Sequence, residues 1–92
     1  MNDEIFDKGA KCLKTIAHPI RLKMIKLLLE NKYSIKELSE ICNVKHNVAS
    51  EHLSLMKDRG FISSEKEKTK VYYFIKEKGL KNIINCIETK FN

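Results

Sequence analysis

The feature that most constrains this chain is a change of hydrophobic period at Gly60. Before that residue, apolar side chains recur at helical spacing; after it they alternate, as strands do. The chain has 92 residues, only three Gly and one Pro, and 33% charged residues. These values exclude low-complexity and collagen-like chains and a disordered composition. A domain this short has a thin core, which makes a deep catalytic cleft unfavourable and burial against a second copy advantageous.

Five helical segments and one hairpin follow from periodicity and punctuation. The first helix is expected from Asp3 to Ile16, with Ile5, Phe6, Gly9, Leu13 and Ile16 at helical spacing. His18-Pro19 ends it, because proline lacks an N–H and fits the first position of the next helix. That second helix carries Ile20, Met24, Ile25, Leu27, Leu28 and Leu29 around most of its circumference, the pattern of a buried centre. Asn31 to Tyr33 reads as a break. Ser34 and Glu37 match a capping box, which starts a short third helix from about Ile35 to Ile41. A fourth helix is expected from His46 to Arg59, stopped by Gly60. Strands at Phe61–Lys66 and Lys70–Ile75 enclose a polar tip, Glu67-Lys68-Thr69, and a last helix is expected from Glu77 to Phe91.

Two short helices separated by four residues and followed by a hairpin have the order of a winged helix-turn-helix. The fold class is therefore mainly α with a small β-hairpin wing, four helices before the two strands and one after. The expected organisation is a single domain over residues 1–92, with a helix-turn-helix at 34–59, a wing at 61–75 and outer helices at 1–17 and 77–91. On the fourth helix Ala49, Leu53 and Met56 share one face, for packing. His46, Asn47, Ser50, Glu51 and Ser54 share the other. A solvated amphipathic face would look the same, but short hydrogen-bonding side chains on the first half of a helix also suit the major groove. Asn is matched to adenine, and Ser to either base type.

The flanking charge favours the groove reading. Lys+Arg total 18 against 12 Asp+Glu, a net charge of +6. Lys45 precedes the fourth helix, Lys57 and Arg59 close it, and Lys66, Lys68 and Lys70 surround the hairpin tip. Together with His52 on the helix flank, which reads as a packing or phosphate-contacting residue, these are the expected phosphate contacts; His46, Asn47, Ser50 and Glu51 are the expected base readers. The expected partner is double-stranded DNA. The last helix has a stripe too long and apolar for a thin core to cover. Leu80, Ile83, Ile84, Ile87 and Phe91, with Phe6 and Leu13 of the first helix, are therefore expected at a homodimer interface. The start, Met1-Asn2-Asp3-Glu4, is acidic and unlike a signal peptide, and no apolar run is long enough to span a bilayer. Three cysteines spaced 30 and 44 residues apart do not suggest a secreted disulfide framework. A cytoplasmic chain without a membrane partner is expected.

From Leu13 to Ile75 the sequence resembles the ArsR/SmtB family of winged-helix repressors. The matching pieces are Leu13-Lys14-Thr15-Ile16-Ala17-His18-Pro19-Ile20-Arg21-Leu22, Glu37-Leu38, Val48-Ala49-Ser50-Glu51-His52-Leu53, Gly60-Phe61-Ile62 and Val71-Tyr72-Tyr73. The resemblance implies a homodimer joined through the first and last helices. It also implies operator reading by the fourth helix at His46, Asn47, Ser50 and Glu51, and repression relieved by an inducer. Two positions depart from the family pattern. Glu51 stands where a basic or amide residue is frequent, and Lys45 stands where a small capping residue is usual.

No metal site or cofactor is expected. Metal-sensing relatives carry a Cys-x-Cys-Asp-like motif at the third helix, where this chain reads Tyr33-Ser34-Ile35-Lys36-Glu37-Leu38. Those that use the last helix need a histidine it lacks. Persulfide-sensing relatives place a cysteine where Lys26 stands. Cys12 and Cys86 read as packing residues, with a thiol- or metal-responsive pair across the interface as the alternative. Cys42 reads as core and His18 as a helix cap. No nucleophile–base pair, Gly-rich phosphate loop or pair of acids on one face points to an enzyme. A winged helix used only for protein–protein contact is the remaining alternative. The sequence names no inducer.

Overall fold

A computed structural model describes residues 3–92. Met1 and Asn2, which open the acidic start and the 1–17 segment, lie outside the described residues. The elements run α1 (Asp3–Ile16), α2 (Pro19–Glu30), β1 (Tyr33–Ser34), α3 (Ile35–Ile41), α4 (His46–Asp58), β2 (Ile62–Glu67), β3 (Lys70–Ile75) and α5 (Leu80–Phe91). The three strands form an antiparallel sheet in the order β1-β3-β2. This is the winged helix-turn-helix architecture the period change predicts.

Helix boundaries follow local hydrogen bonding. His18 caps α2 by accepting from the Ile20 N–H at 3.1 Å, with Pro19 in the first turn where its missing N–H costs nothing. Ser34 and Glu37 form the expected capping box: the Glu37 N–H donates to the Ser34 hydroxyl, and the Ser34 N–H donates to the Glu37 carboxylate. That backbone N–H holds the Glu37 carboxyl below the usual carboxylate range. Both α3 and α4 end in the same way. After α3, Asn43 takes φ 53°, and the N–H groups of Asn43 and Val44 return to the carbonyls of Glu40 and Ser39. After α4, Gly60 takes φ 81°, and the N–H groups of Gly60 and Phe61 return to Lys57 and Met56. Asn and Gly are the residues that accept this left-handed conformation most readily.

The core joins α2, α3, α4, the sheet and α5. Met24, Ile25, Leu38, Ala49, Leu53 and Met56 are all fully buried, with Ile62 and Leu80 close behind. Only Thr15 and Ile16 of α1 are buried, so the helix leaves the body of the protomer over most of its length. Arg21 of α2 holds its end in place. It donates through Nη1 to the Thr15 carbonyl at 2.7 Å and through Nε to Nδ1 of His52 in α4 at 3.0 Å. The His52 ring also lies 4.6 Å, centre to centre, from that of His18.

Several details differ from the sequence expectations. The break at Asn31 to Tyr33 contains the start of a strand: Tyr33 and Ser34 pair with Tyr73 and Tyr72. The first wing strand is shifted by one residue to Ile62–Glu67, leaving a turn of Lys68 and Thr69 with Lys68 at φ 57°. Helix α4 ends at Asp58, with Arg59 as its cap. Helix α5 begins at Leu80 rather than Glu77. The Lys76 and Glu77 N–H groups are drawn to the Phe61 carbonyl, and tight three-residue turns follow before the helix opens. Leu80 and Ile84, expected at a dimer interface, belong to the protomer's own core at 1% and 5% exposure. The thin core needs them because α1 contributes so little to it.

Ile84→Ala should therefore lower unfolding stability by about 2–5 kcal/mol, the range for truncating a buried aliphatic residue, as read by urea denaturation. Burial, together with His18 and Arg21, pushes the His52 pKa below its ordinary value, against a smaller pull upward from Glu51. The unfolded chain then holds more protons than the folded one below about pH 6.5. Stability from this group is complete above that pH and is lost as pH falls toward the depressed folded value. The urea midpoint should drop between pH 7.5 and 5.5, and His52→Gln should flatten that drop.

Candidate nucleic-acid interface

Helix α4 divides its residues between two tasks. Ala49, Leu53 and Met56 fix it to the core, and His52 is also turned inward at 9% exposure. His46, Asn47, Glu51 and Ser54 are exposed, and Ser50 is half-buried. The four expected base readers, His46, Asn47, Ser50 and Glu51, thus lie together on the first two turns. His52 does not join the phosphate-contacting set, because its Nδ1 already accepts from Arg21 and its ring is packed.

The start of α4 has no side-chain cap. Lys45 occupies the capping position in an extended conformation and offers no acceptor. The first N–H groups of the helix are left for water or an anion, and their partial positive charge adds to that of Lys45. The departure at Lys45 therefore removes a capping bond while making this helix end more receptive to phosphate.

The wing sorts its charges by face. In the β2–β3 register Ile62, Ser64 and Lys66 stand opposite Ile75, Tyr73 and Val71. That face continues toward α4, where Lys57 Nζ donates to the Ser64 hydroxyl at 2.7 Å. The other face carries Glu65 and Glu67 opposite Tyr72 and Lys70. Lys32, just before β1, pairs with both of those glutamates and sits over the Tyr72 ring, 5.4 Å from its centre. Its pairing with Glu67 and Glu65 raises the Lys32 pKa. Two carboxylates are thereby neutralised on the face turned away from α4. Lys66 and Lys68 are exposed on the wing, Lys57 is exposed where it meets Ser64, and Lys45 is exposed at the opposite end of α4.

The remaining expected phosphate contacts divide. Lys70 is exposed, but its register partner is Glu67 on the opposite face, and its charge also reaches Glu37. Arg59 lies at the far end of α4 from His46, in a cleft with Lys11, Lys14 and Arg21. Sequence reasoning missed Lys32, whose role depends on a third strand only two residues long. It also missed Arg21, whose partners are 6 and 31 residues away.

Phe6 and Leu13 on α1 and Phe91 on α5 are exposed at 58%, 55% and 77%, as is Ile5 at 63%. Ile83 and Ile87 are half-buried. Cys12 and Cys86, read as packing residues, are exposed in the protomer; Cys42 is buried, which pushes its thiol pKa up. Among the described residues no group of three or more His, Cys, Asp or Glu could hold a metal ion, and no helix is long and apolar enough to cross a membrane.

The comparisons with known proteins agree with this geometry. The biofilm growth-associated repressor of Xylella fastidiosa is 26% identical over 82 residues, which cover 89% of this chain and 72% of that protein. A solved structure of HlyU from Vibrio cholerae N16961 superimposes with a TM-score of 0.87 at 26% identity, covering 98% of both chains. The curated HlyU of that organism is described as a transcriptional activator. The solution structure of a homodimeric winged helix-turn-helix DNA-binding domain from Mycobacterium bovis shares the fold at a TM-score of 0.82 and 20% identity, covering 97% of this chain and 84% of that one. These relatives are transcriptional regulators, not enzymes. The family model for bacterial regulatory proteins of the arsR family matches residues 18–64, from the cap of α2 into the wing. The chain belongs to the arsR family of bacterial regulatory proteins.

Proposed function

We propose that the protein is a homodimeric, sequence-specific DNA-binding repressor that occupies an inverted-repeat operator. The observation that carries this reading is the first half of α4: exposed, polar, uncapped, and mounted on a fully buried opposite face. His46, Asn47, Ser50 and Glu51 enter the major groove. Asn47 is suited to adenine, and Glu51 accepts from the cytosine amino group. Lys45, Lys57, Lys66 and Lys68 fix the register on phosphates without reading sequence.

A second copy supplies the symmetry. The apolar stripe of α1, with Phe91 and the half-buried Ile83 and Ile87 of α5, is covered by the same surface of the partner. Two α4 helices then meet successive major grooves about 34–36 Å apart. Occupation of the operator blocks transcription, the role in the name of the Xylella relative. The expected setting is the cytoplasm, where the operator is.

DNA affinity should fall steeply with salt, because phosphate contacts release counterions. Asn47→Ala should relax discrimination at one base pair. Lys68→Gln should weaken all sequences alike and reduce the salt slope by about one. Fluorescence anisotropy on the DNA upstream of the coding sequence measures both; affinity that ignores sequence would refute base reading. For the dimer, a Phe6→Glu/Leu13→Glu variant should run as a monomer by light scattering. An unchanged dimer mass would remove α1 from the interface. Both side chains are exposed, so the protomer should remain folded.

A further inference from the structure

The junction of α1, α2 and α4 concentrates positive charge that DNA reading does not use. Its cleft has a volume of about 480 Å³ and is lined by Lys11, Lys14, Thr15, Arg21, Leu55 and Arg59. No carboxylate lines it. Among the described residues none of the four cations takes part in an ion pair, and Asp7 and Asp58, nearby in sequence, pair with none of them. Arg21 is held by two neutral acceptors, the Thr15 carbonyl and His52 Nδ1, so it is fixed in position with its charge uncompensated. The C-terminal ends of α1 and α4 each bring about half a negative charge. Against four full positive charges, a large surplus remains.

Location separates this cleft from the operator. At 1.5 Å per residue, Arg59 lies roughly 20 Å along the α4 axis from His46, and its cleft opens against α1, whereas Lys57 is turned to Ser64 of the wing. On α1, Lys11 is rotated roughly 160° and Lys14 roughly 100° from Leu13, so both cations point away from the centre of the apolar stripe. Its floor is not wholly polar: the half-buried Leu55 offers an apolar contact beside the cations.

We infer that this cleft binds a small phosphorylated molecule, with Lys11, Lys14, Arg21 and Arg59 gripping a phosphate or diphosphate group and Leu55 meeting its organic part. Arginine presents paired N–H donors that match phosphate oxygens, and lysine adds point charge. Because Arg21 also bonds His52 of α4 and the end of α1, an occupant draws on the contact that fixes the reading helix to the dimerisation helix. The site lies within one protomer and stands apart from the base-reading assignment.

The test is a titration of the full chain with inorganic pyrophosphate at constant ionic strength, followed by calorimetry and amide NMR. Saturable binding is expected, with shifts confined to residues around Lys11, Thr15, Arg21 and Arg59. Lys14→Gln and Arg59→Gln should each weaken it about tenfold, as loss of a charged hydrogen bond does; Lys66→Gln on the wing should leave it unchanged. Lys14 and Arg59 are exposed and make no side-chain hydrogen bond in the protomer, so these variants should fold. Non-saturating heats, or an equal loss with Lys66→Gln, would overturn the site. If both cleft variants weaken operator DNA while pyrophosphate does not bind, the cations contact the DNA backbone and the inference is wrong.

Discussion

The guanidinium of Arg21 is the interaction on which the arrangement of the helices depends. It joins three elements through two hydrogen bonds, to the Thr15 carbonyl at the end of α1 and to the His52 ring in α4. Apolar packing cannot do this work at the same place, because α1 buries only Thr15 and Ile16. A carbonyl near a helix end has no partner within the helix, and a directional donor satisfies it while fixing the angle at which the helix departs. The His52 ring supplies the other acceptor only in its neutral form, since both ring nitrogens are donors once it is protonated. Burial lowers its pKa and so favours that form.

The wing shows how a net charge becomes a directed one. Its strands contain Glu65, Lys66, Glu67 and Lys70, which in sequence read as a mixed run. Strand alternation separates them, and Lys32 then takes up the two glutamates on the face away from α4. Exposed ion pairs of this kind add little to stability. Their effect is on the field that an approaching polyanion meets, from which two negative charges have been withdrawn.

Much of this was legible in the sequence, and the reasons are local. The boundaries at His18-Pro19, Ser34/Glu37 and Gly60 are set by residues with few conformational options, and each acts on its immediate neighbours. The inward face of α4 follows from the spacing of Ala49, Leu53 and Met56. What escaped was non-local. β1 is two residues long and exists only because β3 offers it an edge. The start of α5 is delayed because the Phe61 carbonyl captures the two N–H groups at Lys76 and Glu77. The stripe of Leu80 and Ile84 gave the correct helical face but the wrong neighbour, since periodicity reports that a side chain is buried and not what buries it. Of the two readings of His52, packing and phosphate contact, burial favours packing, and its partner Arg21, 31 residues distant, is what the sequence does not reveal.

The division of α4 into a packed face and an idle one bears on how such a protein changes over time. Ala49, His52, Leu53 and Met56 are the buried residues of the helix, whereas His46, Asn47 and Glu51 are exposed in the free protomer. Substitutions at surface positions without partners cost little stability. The residues on the exposed face are thus free to vary without risking the fold, and the uncapped start of the helix adds no bond that a new residue would break. One scaffold can present many different surfaces by drift at a few positions, while Arg21 and the buried face keep the helix pointed in the same direction.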